Sequence, residues 1–247
     1  MPFPFIAVDD FLDPEFACEV AASYPTYAQA KERGREFSAV NEKRKVQITD
    51  PAEFPEPVTK LNELLGSPEF VAELEYITGI QNLLYDAKLV GGGMHLTGPR
   101  GRLDVHVDFN YVESRKLHRR LNILIYLNEG WKSEWGGAVE LWDKEVRNCV
   151  KSFKPILDRC VVFATSEISF HGVEQVKCPE GRQRISFTAY YYTREAPESW
   201  SGTAHSTVFK ARPQERIRGY LLMPIETARH QLVPRAKQFA KKLLGRS

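Results

Sequence analysis

The apolar positions of this chain change their spacing near residue 80. Before it they recur at helical intervals. Residues 10–24, DFLDPEFACEVAASY, predict a helix, with Asp13 as N-cap, Pro14 at the first helical position and Glu15 in the first turn. Two more helical pieces fall within 57–78, PVTKLNELLG and PEFVAELEYITG, each opening at a proline and closing near a glycine. Between them and the first helix, residues 28–47 are highly charged with little apolar period, which predicts a solvated segment or a mobile loop.

From residue 82 the pattern is that of strands. NLLYDAKLV, GRLDVHVDF, RLNILIYLN, GGAVELWD, NCVKSFK, RCVVFAT and RISFTAYYYT are short and rich in β-branched and aromatic residues. Gly, Pro, Asn and Asp separate them, as in a β-sandwich, jelly roll or barrel. The glycines at 91–93 predict a tight bend or a close backbone approach. They are not a phosphate loop, because the GxxxxGK[ST] pattern is missing.

Strand alternation sorts the polar residues. In GRLDVHVDF, Leu103, Val105, Val107 and Phe109 share one face, and Asp104, His106 and Asp108 the other. In RISFTAYYYT, Arg184, Ser186, Thr188, Tyr190 and Tyr192 share a face. Asn122, Leu124 and Tyr126 do so on the strand between. A His and an Asp two apart can chelate one metal ion, although HxD alone equally describes a polar strand edge. His171, after an apolar strand and a Ser-containing turn, is a second candidate ligand. An Arg with a hydroxyl two residues on can grip a carboxylate by its fork and an added donor. Two His and one carboxylate form the facial set used by non-haem Fe(II) oxygenases.

Composition narrows the setting. The chain has 247 residues, 43% of them hydrophobic, enough for one large domain. Net charge is +2, but residues 210–247 hold ten Lys/Arg against two Glu, a local +8 that leaves −6 elsewhere. From Pro234, Ala236, Phe239, Ala240 and Leu243 share one helical face with lysines around it, predicting a docked C-terminal helix or a contact with an anionic surface. The four cysteines, Cys18, Cys149, Cys160 and Cys178, form no CxxC pair. They predict free thiols in a reducing cytoplasm, with Cys149 and Cys160 as small core residues. No signal-peptide pattern and no apolar run of 18 residues is present. His118, His205 and His230 are expected outside the metal site, and Trp131, Trp135 and Trp142 in packing.

The order His106-x-Asp108 … His171 … Arg184-x-Ser186 on a β-rich chain resembles the Fe(II)/2-oxoglutarate-dependent dioxygenases, in particular their prolyl 4-hydroxylase-like branch. IYLNEGWKSEWGGAVELWD, at 125–143, adds to the likeness, which spans residues 80–195. The resemblance implies a mainly β fold with flanking helices around a double-stranded β-helix (jelly-roll, cupin-like) core. It implies His106, Asp108 and His171 as iron ligands, and Arg184, Tyr126 and Ser186 as the 2-oxoglutarate grip. It implies Fe(II), 2-oxoglutarate and O₂ as reactants, ascorbate as support, and hydroxylation of an unactivated C–H bond. His95, Thr97, Asn122 and Arg115 are further candidates near the iron or substrate; His95 or Thr97 stands where relatives often have a Tyr. The expected layout is 1–79 as N-terminal helical support, 80–195 as the core and 196–247 as a basic extension, integrated in a single domain. The substrate is expected to be a peptidyl residue or a small molecule. A small-metabolite hydroxylase is the alternative within the class, and a non-catalytic jelly-roll binding module the alternative outside it.

Overall fold

Asp13 caps the first helix through its carboxylate, which accepts from the amides of Glu15 and Phe16. The structure, a computed structural model, describes residues 2–215. Its helices are α1 (Pro14–Ala22), α2 (Tyr27–Arg33), α3 (Glu56–Gly66) and α4 (Pro68–Thr78). Its strands are β1 (Phe5–Val8), β2 (Arg35–Ser38), β3 (Glu42–Ile48), β4 (Leu84–Tyr85), β5 (Gly93–Val107), β6 (Tyr111–Val112) and β7 (Leu117–Tyr126). They continue with β8 (Val139–Trp142), β9 (Cys149–Phe153), β10 (Arg159–Ala164), β11 (His171–Val173), β12 (Arg184–Thr193) and β13 (Val208–Lys210).

All strand pairs are antiparallel, and the main path runs β1-β10-β7-β12-β5-β11-β8-β9. The fold is mainly β, a curled sheet of the double-stranded β-helix type. β5 belongs to both walls. Its first half pairs β12 over 93–97, and its second half pairs β11 at Leu103 and His106. Between the halves Arg100 takes a positive φ of 65°, and β3 pairs with residues on both sides of that irregularity.

Alternation decides which side is core. Ile123, Ile125, Phe187, Ala189, Met94, Leu96, Val46 and Ile48 point outward and bury against Ala17, Val20, Val58, Leu61, Leu65 and Leu74 of the helices. The helices thus cover the outer face, and truncating a buried leucine there would cost about 2–5 kcal/mol. The intervening residues of the same strands face inward: His95, Thr97, Asn122, Leu124, Ser186, Thr188 and Tyr190 line a cavity of about 290 Å³.

The charged segment 28–47 is ordered structure, contrary to the loop expected from its composition. Thr26 and Gln29 form a reciprocal capping box that starts α2. Lys31 pairs with Glu36 and Lys45 with Glu42, each at 2.8 Å, and Val46 and Ile48 go into the core. The partner of β3 is β5, about fifty residues downstream, so no local pattern announces it. The first 79 residues are therefore not helical support alone: β1 and β3 are part of the sheet. Conversely, 82–90 holds only the short β4, because Asp86 accepts from the amides of Lys88 and Val90 and turns the chain. Gly92 is a close approach as expected, since a Cβ there would lie 2.7 Å from the Thr188 carbonyl oxygen. Cys160 and Cys178 are buried free thiols, but Cys149 is exposed on the edge strand β9 rather than in the core. Among the described residues, no helix is long and apolar enough to cross a membrane. The C-terminal helix expected from Pro234, most of the basic tail and His230 lie outside the described residues.

Candidate active site

β5 delivers His106 near its end and Asp108 just past it, and β11 opens on His171. His106 and His171 are register partners across the two strands. One ligating atom from each of His106, Asp108 and His171 lies within 4.8 Å of the others. The pattern therefore brings together the three residues that the sequence singled out.

The tautomers follow from the backbone. Nδ1 of His106 lies 2.9 Å from the Asp104 carbonyl, and Nδ1 of His171 lies 2.9 Å from the Ser169 carbonyl. A carbonyl can only accept, so each Nδ1 carries the proton and each Nε2 keeps its lone pair free. Both Nε2 atoms face Asp108, at 3.5 Å from Oδ1 for His106 and 3.6 Å from Oδ2 for His171. Burial, with His106 adding to it, pulls His171 down to about 4, so its ring is neutral at physiological pH. Burial works against the Asp108 anion, but Arg119 and the two imidazoles more than offset it and hold the carboxyl well below its usual range. Two imidazoles whose Nε2 atoms face one carboxylate, with a free side toward a cavity, fit a divalent first-row cation.

A second group of donors lies in the same cavity. Arg184 donates from Nε to the Gly137 carbonyl at 2.7 Å, and its guanidinium sits 4.9 Å from the centre of the Tyr126 ring. Ser186 is the cross-strand partner of Tyr126. Arg184 Nη2, Tyr126 Oη and Ser186 Oγ are all buried and make no hydrogen bond. Orphaned buried donors are costly, and three together around one guanidinium ask for a carboxylate. Burial lowers the Arg184 pKa, offset in part by Tyr126, and raises the Tyr126 phenol to about 12.

The remaining candidates are placed as follows. Asn122 lines the cavity and donates from Nδ2 to Asp108 Oδ2 at 2.7 Å. His95 and Thr97 line it too, and burial keeps the His95 ring neutral, 3.0 Å from Gln47 Nε2. Arg115 does not line it; its Nη1 donates to Asp86 at 2.7 Å. Asp104, which alternation puts on the ligand face, is buried in an ion-pair cluster with Arg102 at 2.5 Å and Arg212 at 3.6 Å. That cluster extends to Glu140 and Glu215, and so ties the stretch after β13 to β5 and β8.

Several cavity residues escaped sequence reasoning. Arg119, 3% exposed, sits 3.0 Å from Asp108 Oδ2. Phe37, Glu42, Lys45 and Gln47 enter from the charged segment, and Thr207 and Phe209 from the far end of the described chain. Phe209 packs on His106 with ring centroids 5.3 Å apart. Alternation from Asn122, Leu124 and Tyr126 points to Arg120 instead; Arg119 lines the cavity because the β7–β12 register slips between Tyr191 and Tyr192.

Comparison with known proteins follows the same residues. Residues 92–192 match the family model described as the 2OG-Fe(II) oxygenase superfamily. Prolyl 3-hydroxylase OGFOD1 of Mus musculus is 32% identical over 78 residues, 30% of this chain and 14% of that protein's length. A prolyl-4-hydroxylase structure from Pseudomonas putida superposes with a TM-score of 0.55 at 19% identity, over 78% of this chain and 94% of that one. A prolyl hydroxylase from Trichoplax adhaerens, solved with a peptide fragment of the hypoxia inducible factor oxygen degradation domain, gives 0.51 at 18% identity, over 76% and 83%. At these identities the two structures speak to the fold.

Proposed function

We propose, for a chain whose residues 92–192 match the model of the 2OG-Fe(II) oxygenase superfamily, that it is an Fe(II)- and 2-oxoglutarate-dependent hydroxylase of an unactivated C–H bond. One observation carries the reading: the His106, Asp108, His171 cluster and the unpartnered donors of Arg184 and Ser186 line a single cavity, with Tyr126 beside them. When bound, ferrous iron and 2-oxoglutarate supply, with O₂, the oxidising power that turns C–H into C–OH and releases succinate and CO₂.

The protein's own part is positional. His106 and His171 present Nε2 because the Asp104 and Ser169 carbonyls hold Nδ1. Asp108 presents a carboxylate steadied by Asn122. Arg184, Tyr126 and Ser186 are assigned to the distal carboxylate of 2-oxoglutarate, with Thr97 and His95 as inward neighbours on β5. Phe163, packed 4.7 Å from the His171 ring, and Phe209 make the ligand end apolar and limit water there.

Ascorbate would sustain activity by keeping iron ferrous. The free thiols support a cytoplasmic location. The substrate reading begins from two classes, a prolyl or other residue within a peptide and a small metabolite. The test is succinate formation from 2-oxoglutarate by the purified chain with Fe(II) and ascorbate, alone and with a panel of both classes. Succinate above the background of Arg184→Met is expected. No succinate under any condition would favour a non-catalytic jelly-roll binding module.

A further inference from the structure

Arg212 lies beyond the span 92–192 that matches the family model, yet it reaches three strands of the core. It follows β13, whose Phe209 is the register partner of His106 on one edge of β5. On the other edge His106 pairs with His171 of β11. There the ladder slips. His171 and Val173 are two residues apart, but their partners His106 and Leu103 are three apart. β5 therefore carries one residue too many opposite Gly172, a bulge formed by Asp104 and Val105.

Arg212 is fastened to both sides of that slip. Its Nη2 donates to the Leu103 carbonyl on β5 at 3.3 Å and to the Val173 carbonyl on β11 at 3.1 Å. Its Nε donates to Glu140 of β8 at 2.8 Å. Gly172 leaves room for the guanidinium, since a Cβ there would lie 3.1 Å from Nη2. Nη1 stands 3.6 Å from Asp104 Oδ1, on the bulge itself. A bulge disrupts the regular ladder, and here one planar fork ties its two strands and a third together.

The slip adjoins the proposed metal ligands. Asp104, a bulge residue, is the one whose carbonyl lies 2.9 Å from His106 Nδ1 and so aims that ring. Its backbone position thus decides where His106 Nε2 points.

We propose that Arg212 is a positioning residue for the metal site. It pins the bulge, the bulge fixes the Asp104 carbonyl, and that carbonyl orients His106. A residue after β13 thereby completes a site whose ligands all lie before it. The inference rests on the reading of His106 as a metal ligand.

The test compares full-length Arg212→Met with Leu61→Ala, which truncates a buried leucine of the helical layer away from the bulge. In metal-free protein, heteronuclear NMR follows the Nδ1–H signals of His106 and His171. Both are expected in wild type and in Leu61→Ala. In Arg212→Met the His106 signal should be lost to exchange while that of His171 persists. Mn(II) affinity by calorimetry should fall about 10–100-fold in Arg212→Met, as for other residues that orient a ligand, and stay within about twofold in Leu61→Ala. If Arg212→Met does not fold, Arg212→Lys, which keeps the charge and loses the fork, takes its place with the same signal lost. A His106 signal that persists, an unchanged Mn(II) affinity, or a loss shared equally by Leu61→Ala would overturn the proposal and leave Arg212 a structural ion pair. Wild-type protein that takes up no Mn(II) would mark instead the failure of the metal-site reading and remove the proposal with it.

Discussion

His106 and His171 are direct partners across β5 and β11, with ring centroids 4.3 Å apart, and each is oriented by the carbonyl two residues before it. The placing of the two imidazoles in the proposed metal site is therefore set by sheet register, with Asp108 just past the end of β5. Replacing either ring by alanine should lower Mn(II) affinity by at least about 100-fold with the fold retained, since removing even a supporting contact typically costs about 10–100-fold. Asn122→Ala, which removes such a contact from Asp108, should fall in that lower range. Metal titration with circular dichroism checks both, and an unchanged affinity in His106→Ala would remove it from the ligand set.

Arg184→Met should raise the KM for 2-oxoglutarate by about 10–100-fold, the worth of a buried charge-assisted pair. Tyr126→Phe removes one neutral donor and should raise it by about fivefold. Steady-state succinate formation at varied 2-oxoglutarate separates the two, and equal effects would contradict the assigned roles.

Metal-free protein should lose stability in mild acid. His171 titrates at about 4 in the fold but near its ordinary value of about 6.5 when unfolded. Between those values the unfolded chain binds a proton that the folded chain refuses. Stability is thus fully present above about 6.5 and falls as pH drops towards 4, by about 3 kcal/mol from this group. Urea denaturation at pH 7 and pH 5 should show the loss, and His171→Gln should flatten it.

Gly93→Ala should destabilise the chain by about 2 kcal/mol or more. Its φ is +86°, and a Cβ would run into the Ile48 carbonyl. Thermal unfolding of the variant checks this, with Gly181→Ala as a control of similar φ and open surroundings.

Alternation made much of the frame legible. RISFTAYYYT becomes β12 residue for residue, and Arg184, Ser186, Thr188 and Tyr190 of its polar set line the cavity while Tyr192 packs against Leu117, because one wall is helix-covered outside and polar inside. The ligand cluster was legible because HxD alternation and the later His and Arg are properties of short strings. What was hidden depends on distant partners. The segment 28–47 reads as solvent-facing because its charges satisfy one another, and its pairing with β5 leaves no local period. The acceptors for the histidine Nδ1 protons are backbone carbonyls, which no side-chain pattern marks. Arg119 in LHRRLN looks like one basic residue among three, and its burial, its contact with Asp108 and the stacking of Phe109 and Tyr190 distinguish it from Arg120.

β5 acts like the spine of a book, since both leaves of the sheet are bound to it. The same strand that joins the leaves carries His106 near its end. The cavity in front of the proposed metal ligands is lined by Phe37 and Lys45 from the first fifty residues and by Thr207 and Phe209 from the end of the described chain. Changes in those two stretches could re-tailor what is admitted while the ligand frame stays as it is.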